Sequence, residues 1–84
     1  MAQYRKKSVV IEADRVGTHP TARRMTAEWC SGRLGDDHAL GPVIYIDTPV
    51  GQMVALVGDW IIKGSAGEFY PCGPDIFDAT YEAV

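Results

Sequence analysis

The sequence predicts a small, β-rich α+β protein: a twisted antiparallel β-meander or partial barrel of five or six short strands, with one helix in the N-terminal half. Three observations lead there. The second half alternates β-branched and aromatic runs with short turns rich in Gly, Pro and Asp. One earlier stretch carries helix start and stop signals. The chain has 84 residues, enough for a single domain over 1–84 with one core and no more.

Taken in order, Ser8 to Val16 holds Val9, Val10, Ile11 and Val16 and reads as one strand with Glu12 and Asp14 toward its end. Thr18 to Cys30 reads as a helix. Thr18 or His19 can cap it, Pro20 suits the first turn, and Gly32 supplies a stop. Ala22, Met25 and Trp29 fall on one stripe, which leaves Arg23 and Arg24 facing water or a partner. Ser31 to Pro42, with Gly32, Gly35, Asp36, Asp37 and Gly41, reads as a polar surface loop.

Val43 to Asp47 is a strand, and Thr48-Pro49-Val50-Gly51 a turn that returns it as Gln52 to Val57. Gly58-Asp59 then turns the chain into Trp60 to Lys63, and Gly64 to Gly67 into Glu68-Phe69-Tyr70. Connections this short make each neighbouring pair antiparallel, hence a meander. Pro71 and Pro74 end the last strand, Asp75 caps a single turn through Asp78 that lays Ile76 and Phe77 inward, and Thr80 to Val84 closes the sheet.

The composition, 46% hydrophobic and 23% charged, excludes both disorder and a membrane-spanning stretch. The net charge of −3 is uneven: residues 1–33 carry seven basic side chains against three acidic, and residues 34–84 carry Lys63 alone against eight acids. That polarity steers an anion to one face or matches faces between subunits, and the acidic remainder disfavours double-stranded nucleic acid. Folding at this size removes only about 60 to 65% of the unfolded chain's surface from water, so a homo-oligomer is expected.

Met1 to Lys7 is polar and the apolar run Val9 to Ile11 is too short for a signal-peptide core. A cytoplasmic protein follows, with Cys30 and Cys72 as free thiols and not a disulfide. His19, Cys30, His38 and Cys72 offer no local pair of zinc ligands, so neither metal nor cofactor is expected. Nor does any GxSxG, P-loop or HExxH occur.

From Gly58 onward, four spaced blocks stand in order: Gly58-Asp59-Trp60-Ile61-Ile62-Lys63-Gly64, Gly67-Glu68-Phe69-Tyr70-Pro71-Cys72, Pro74-Asp75-Ile76-Phe77 and Ala79-Thr80-Tyr81-Glu82. With Tyr4-Arg5-Lys6-Lys7, Val9-Val10-Ile11-Glu12-Ala13 and Glu28-Trp29-Cys30, they resemble a widespread group of small phage and prophage proteins of unknown function. The chain departs from that group's pattern at Val57, Gly73 and Ala83, and the stretch from Arg33 to Gly41 matches poorly. The resemblance implies a small accessory protein acting inside an infected bacterium and transfers no catalytic residue.

The function expected is a non-enzymatic binding module that engages a host protein or sequesters a small anionic, nucleotide-like signal, as in counter-defence. Arg23, Arg24 and Lys63 are its candidate cations, and Trp60 and Tyr70 its candidate stacking rings. A tryptophan so placed is more often core than a stacking platform. Asp59 after a glycine reads as turn chemistry, and Phe69 and Tyr70, adjacent on a strand, point to opposite faces with at most one of them core. A virion or assembly component is the alternative, and a small hydrolase using Asp59, Asp75 or His38 the enzymatic one.

Overall fold

The structure, a computed structural model, describes residues 2–6 and 9–83. The elements follow as β1 (Ala2–Lys6), β2 (Val9–Arg15), α1 (Pro20–Trp29), β3 (Arg33–Asp37), β4 (Gly41–Thr48), β5 (Gly51–Leu56), β6 (Trp60–Lys63), β7 (Phe69–Cys72), α2 (Pro74–Thr80) and β8 (Glu82–Ala83). The protein is therefore α+β and β-rich, as expected. Its eight described strands and two helices exceed the expected five or six strands and one helix. Ser8 and Val84, expected in the first and last strands, lie outside the described residues.

The strands form two antiparallel sheets, one in the order β7-β6-β2-β1-β8 and one in the order β3-β4-β5. This corrects the single meander. Gly58, at φ +96°, does not fold β6 back beside β5. The Val16 N–H donates to the Asp59 carbonyl and the Gly58 N–H to the Val16 carbonyl, each at 2.8 Å, which extends the β2 ladder onto the turn. β6 then pairs with β2, Arg15 opposite Trp60 and Ala13 opposite Ile62.

Alternation along β6 sends Ile61 to one face of the larger sheet and Ile62 to the other. Ile61 joins Val16, Ala27, Cys30, Ile44, Ile46 and Ala55, so α1 and the smaller sheet cover its face. Ile62 joins Ile11, Ala13 and Phe77 beneath α2. Phe69 packs on the first cluster and Tyr70 on the second, each half-buried; the two rings point to opposite faces, as expected, and neither is fully enclosed. Pro71 lies within β7 rather than ending it, opposite Ile61, at the sheet's edge where a missing N–H costs no ladder bond.

In α1, His19 is the cap, its Nδ1 accepting from the Thr21 N–H at 3.2 Å, with Pro20 at the first helical position. The expected stripe holds only at Trp29, which is half-buried against the first cluster. Ala22 and Met25 are exposed, Met25 to 59%, and the buried helical residues are Thr26 and Ala27. Thr26 Oγ1 shares its one proton between Asp14 Oδ2 at 2.6 Å and the Ala22 carbonyl at 3.1 Å, which satisfies its buried hydroxyl. The helix ends as the Ser31 N–H reaches the Glu28 carbonyl and the Gly32 N–H the Ala27 carbonyl. Ser31 takes the left-handed conformation, φ 56°.

The expected loop from Ser31 to Pro42 contains β3, paired from Arg33 opposite Tyr45 to Asp37 opposite Gly41. Asp37 Oδ1 accepts from the Ala39 and Leu40 N–H groups, which fixes the hairpin turn. The turn after β4 forms as expected, with Thr48 Oγ1 bonded to both Val50 and Gly51. α2 is longer than one turn and its cap is Gly73, not Asp75; Pro74 opens it and Asp75 sits within the first turn, at the helix's positive end. Phe77 is buried as expected, but Ile76 is 66% exposed. β8 closes the sheet against β1, Ala83 opposite Tyr4. Among the described residues, no helix is long and apolar enough to cross a membrane.

Candidate functional site

The five candidate ligand residues do not converge on one site: the three cations stand apart from the two rings. Arg23, expected to face water or a partner, stands half-buried on α1. Its Nη1 donates to the Gly17 carbonyl at 3.1 Å and to the Thr18 carbonyl at 2.6 Å, which ties the β2–α1 connection to the helix. The same side chain lines a depression of about 180 Å³ whose walls are Pro20, Leu34, Gly35, Asp36 and Pro42. Its apolar walls come from Pro20, Leu34 and Pro42, with Arg23 and Asp36 supplying one charge of each sign. Leu34 is 49% exposed. Arg24 is exposed on α1.

Lys63 lines a second depression, of about 460 Å³, together with Gln3, Val10, Ile11, Glu12, Gly64, Ser65 and Gly67. Glu12 is the cross-strand neighbour of Lys63, so a carboxylate stands beside that cation. Lys63 Nζ also lies 6.0 Å from the centre of the Phe69 ring.

Trp60 and Tyr70 belong to the opposite face, under α2. Trp60 stacks on Phe77 with centroids 4.1 Å apart and planes 6° from parallel, takes the edge of Tyr4 at 5.0 Å, and has the Arg15 guanidinium 5.8 Å from its ring. That ring face is occupied from within the chain. Its Nε1 is buried without a hydrogen-bond partner among the described residues. Burial first, then the hydrogen bond to Tyr81, push the Tyr70 phenol up to about 12. A single chain thus brings neither Arg23 nor Arg24 to the Trp60 or Tyr70 ring.

The residues weighed for other chemistry are also dispersed. Asp59 Oδ2 accepts from the Leu56 N–H at 2.9 Å, the turn role expected of it. Asp75 is on α2 and His38 in the β3–β4 turn. Cys30 and Cys72 are free and lie on opposite faces of the larger sheet, so they share neither a disulfide nor a metal. Among the described residues no three His, Cys, Asp or Glu side chains converge as a metal site. Burial pushes both thiols up, Cys30 and Cys72 alike.

Leu34 was hidden in sequence because it stands between polar residues in a stretch that reads as loop. Its signal is that Leu34 and Gly35 alternate against Ile44 and Val43 once β3 is paired. Compared with known proteins, the chain matches no family model, no curated protein and no solved structure.

Proposed function

We propose that this chain is a non-enzymatic accessory protein of a phage or prophage that acts in the host cytoplasm by binding a host protein, in a role such as counter-defence. The observation that carries the choice of a protein over a nucleotide is the size and lining of the Arg23–Leu34 depression. At about 180 Å³ it falls below the roughly 300 to 1,000 Å³ of small-ligand pockets and suits one inserted side chain. Apolar walls with a charge of each sign at the rim are the make-up of an anchoring point in a protein interface. The stacking rings support the same choice, because Trp60 is already stacked on Phe77.

One observation favours the nucleotide-like ligand as a second reading: the depression of about 460 Å³ at Lys63 is large enough. Glu12 beside Lys63 opposes a phosphate there. The test is affinity purification of the tagged chain from infected cells, beside its Leu34→Asp variant, followed by native mass spectrometry. A defined bacterial protein held by the parent and bound roughly thirtyfold more weakly by Leu34→Asp is expected for an anchoring contact. A retained nucleotide, or recovery of the chain in purified virions, overturns the reading.

A further inference from the structure

Four strands end the two sheets, and three of them are blunted. β7 carries Pro71, β8 has two residues, and β3 carries Arg33, Asp36 and Asp37. Such devices discourage edge-to-edge pairing. β5 has none. Its six residues, Gly-Gln-Met-Val-Ala-Leu, include neither charge nor proline, and the first four are exposed.

The hydrogen-bonding pattern of this edge is defined by its last residue. Leu56 gives its N–H to Asp59 Oδ2 and takes the Asp59 N–H on its carbonyl, both at 2.9 Å. Leu56 therefore turns its backbone away from β4, and Asp59 closes that end of the edge. Alternation then sets the N–H and C=O of Val54 and Gln52 outward as well. Two residues thus offer two donors and two acceptors, placed symmetrically about Met53.

We propose that β5 pairs antiparallel with β5 of a second copy of this chain about a twofold axis at Met53, joining the two smaller sheets into one of six strands. The self-complementary spacing selects this occupant and this register. Val54 of each copy exchanges both bonds with Gln52 of the other, so every outward group between the Pro49-Val50 turn and Asp59 is used. A register centred on Val54 sets Gln52 against Leu56, whose groups Asp59 already holds. No like charges meet, because the strand has none. The register also carries Val50, 88% exposed, toward Leu56 of the second copy. The β3 edge and its depression lie at the other side of the smaller sheet, so this pairing stands apart from the protein-binding reading and survives its failure.

The axis makes Met53 face its own counterpart as a non-hydrogen-bonded pair, with Cα atoms about 4.5 Å apart, inside the range a disulfide spans. In a Cys72→Ser background, Met53→Cys is expected to form a covalent dimer under mild oxidation, whereas Val57→Cys is not. By sedimentation equilibrium the native chain is expected at twice its 9.2 kDa mass in the micromolar range. Val54→Pro removes an outward donor from each copy without touching the β4 ladder and is expected to weaken dimerisation roughly thirtyfold. Should Val54→Pro lose its native circular dichroism, Met53→Lys, at a position 39% exposed, sets two charges together on the axis and is expected to give monomer. A native chain that is monomeric throughout that range, a dimer unchanged by Met53→Lys, or a dimer in which Met53→Cys does not cross-link overturns the proposal.

Discussion

The two faces of the five-stranded sheet are closed by different means. On one, the second sheet and α1 enclose an aliphatic cluster in which Ile44, Ile46, Ala55 and Ile61 are 0% exposed. On the other, a helix of seven residues with Phe77 as its buried residue lies over Tyr4, Trp60, Tyr70 and Tyr81. An aromatic side chain buries about 150 to 250 Å², so a few rings close a face for which so short a chain has no second sheet left. The difference lies in how the cover is held. Many small contacts fix the aliphatic side, whereas α2 hangs on one ring that touches Trp60, Tyr4 and Tyr81 at 4.1, 5.0 and 5.1 Å.

The largest effect separates these two modes. Phe77→Ala is expected to cost about 3 to 5 kcal/mol, and Ile61→Ala about 2 to 5, with different distributions over the molecule. Removing Phe77 should expose the amides of Phe77 and Tyr81, whose hydrogen bonds hold α2, to exchange by local opening. Removing Ile61 should lower protection throughout by similar amounts. Urea denaturation with native-state hydrogen exchange measures both. Protection of α2 that persists in Phe77→Ala removes the single-ring account.

This contrast also marks what the sequence makes legible. Caps, turns and strand runs are local: His19, Pro20, the Thr48–Gly51 turn and the Asp59 carboxylate act within a few residues of themselves, and each is found where it is expected. The division into two sheets depends on Val16 meeting Gly58 and Asp59 across more than forty positions, about which a turn motif carries no information. β3 escapes notice because an edge strand protected by Asp36 and Asp37 has the composition of a loop. The helix stripe misleads at Ala22 and Met25, which are exposed, while Thr26 and Ala27 go inward beside Trp29, because the sheets the helix meets decide which of its sides is covered. Of the candidate site, the roles of individual residues are partly visible, but which of them share a surface is decided by that same long-range pairing.

A second, smaller contrast tests the two thiols. Cys30 is 3% exposed within the aliphatic cluster and its Sγ lies 3.6 Å from the Ala27 carbonyl, while Cys72 is half-buried beside the rings. Cys30→Ser is expected to cost about 1 to 3 kcal/mol, as for a hydroxyl set among apolar groups, and Cys72→Ser less. Since burial raises both thiols, little thiolate exists at neutral pH, so a disulfide reagent should react slowly, and with Cys72 before Cys30. The reverse order, followed by mass spectrometry, places Cys30 in a more open site than the aliphatic cluster.

The smallest effect is confined to the aromatic face and appears only in alkali. The Tyr70 phenol, raised from 10.0 to about 12 by burial and then by Tyr81, keeps its proton in the folded chain over a range where the unfolded chain has lost it. The unfolded state therefore binds fewer protons between those values, and stability falls as pH rises there. The contribution is complete below pH 10 and is lost as pH passes through about 12. Because the ring is only half-buried, solvent screening keeps the effect small. Denaturation midpoints at pH 9 and pH 11 should fall less with alkali in Tyr70→Phe than in the parent, and the latest-titrating component of the phenolate absorbance should be missing from the variant. Ile61→Ala, on the aliphatic face, should retain both. Equal alkaline loss in the parent and in Tyr70→Phe assigns the sensitivity to other groups and leaves burial under α2 too shallow to hold the Tyr70 proton.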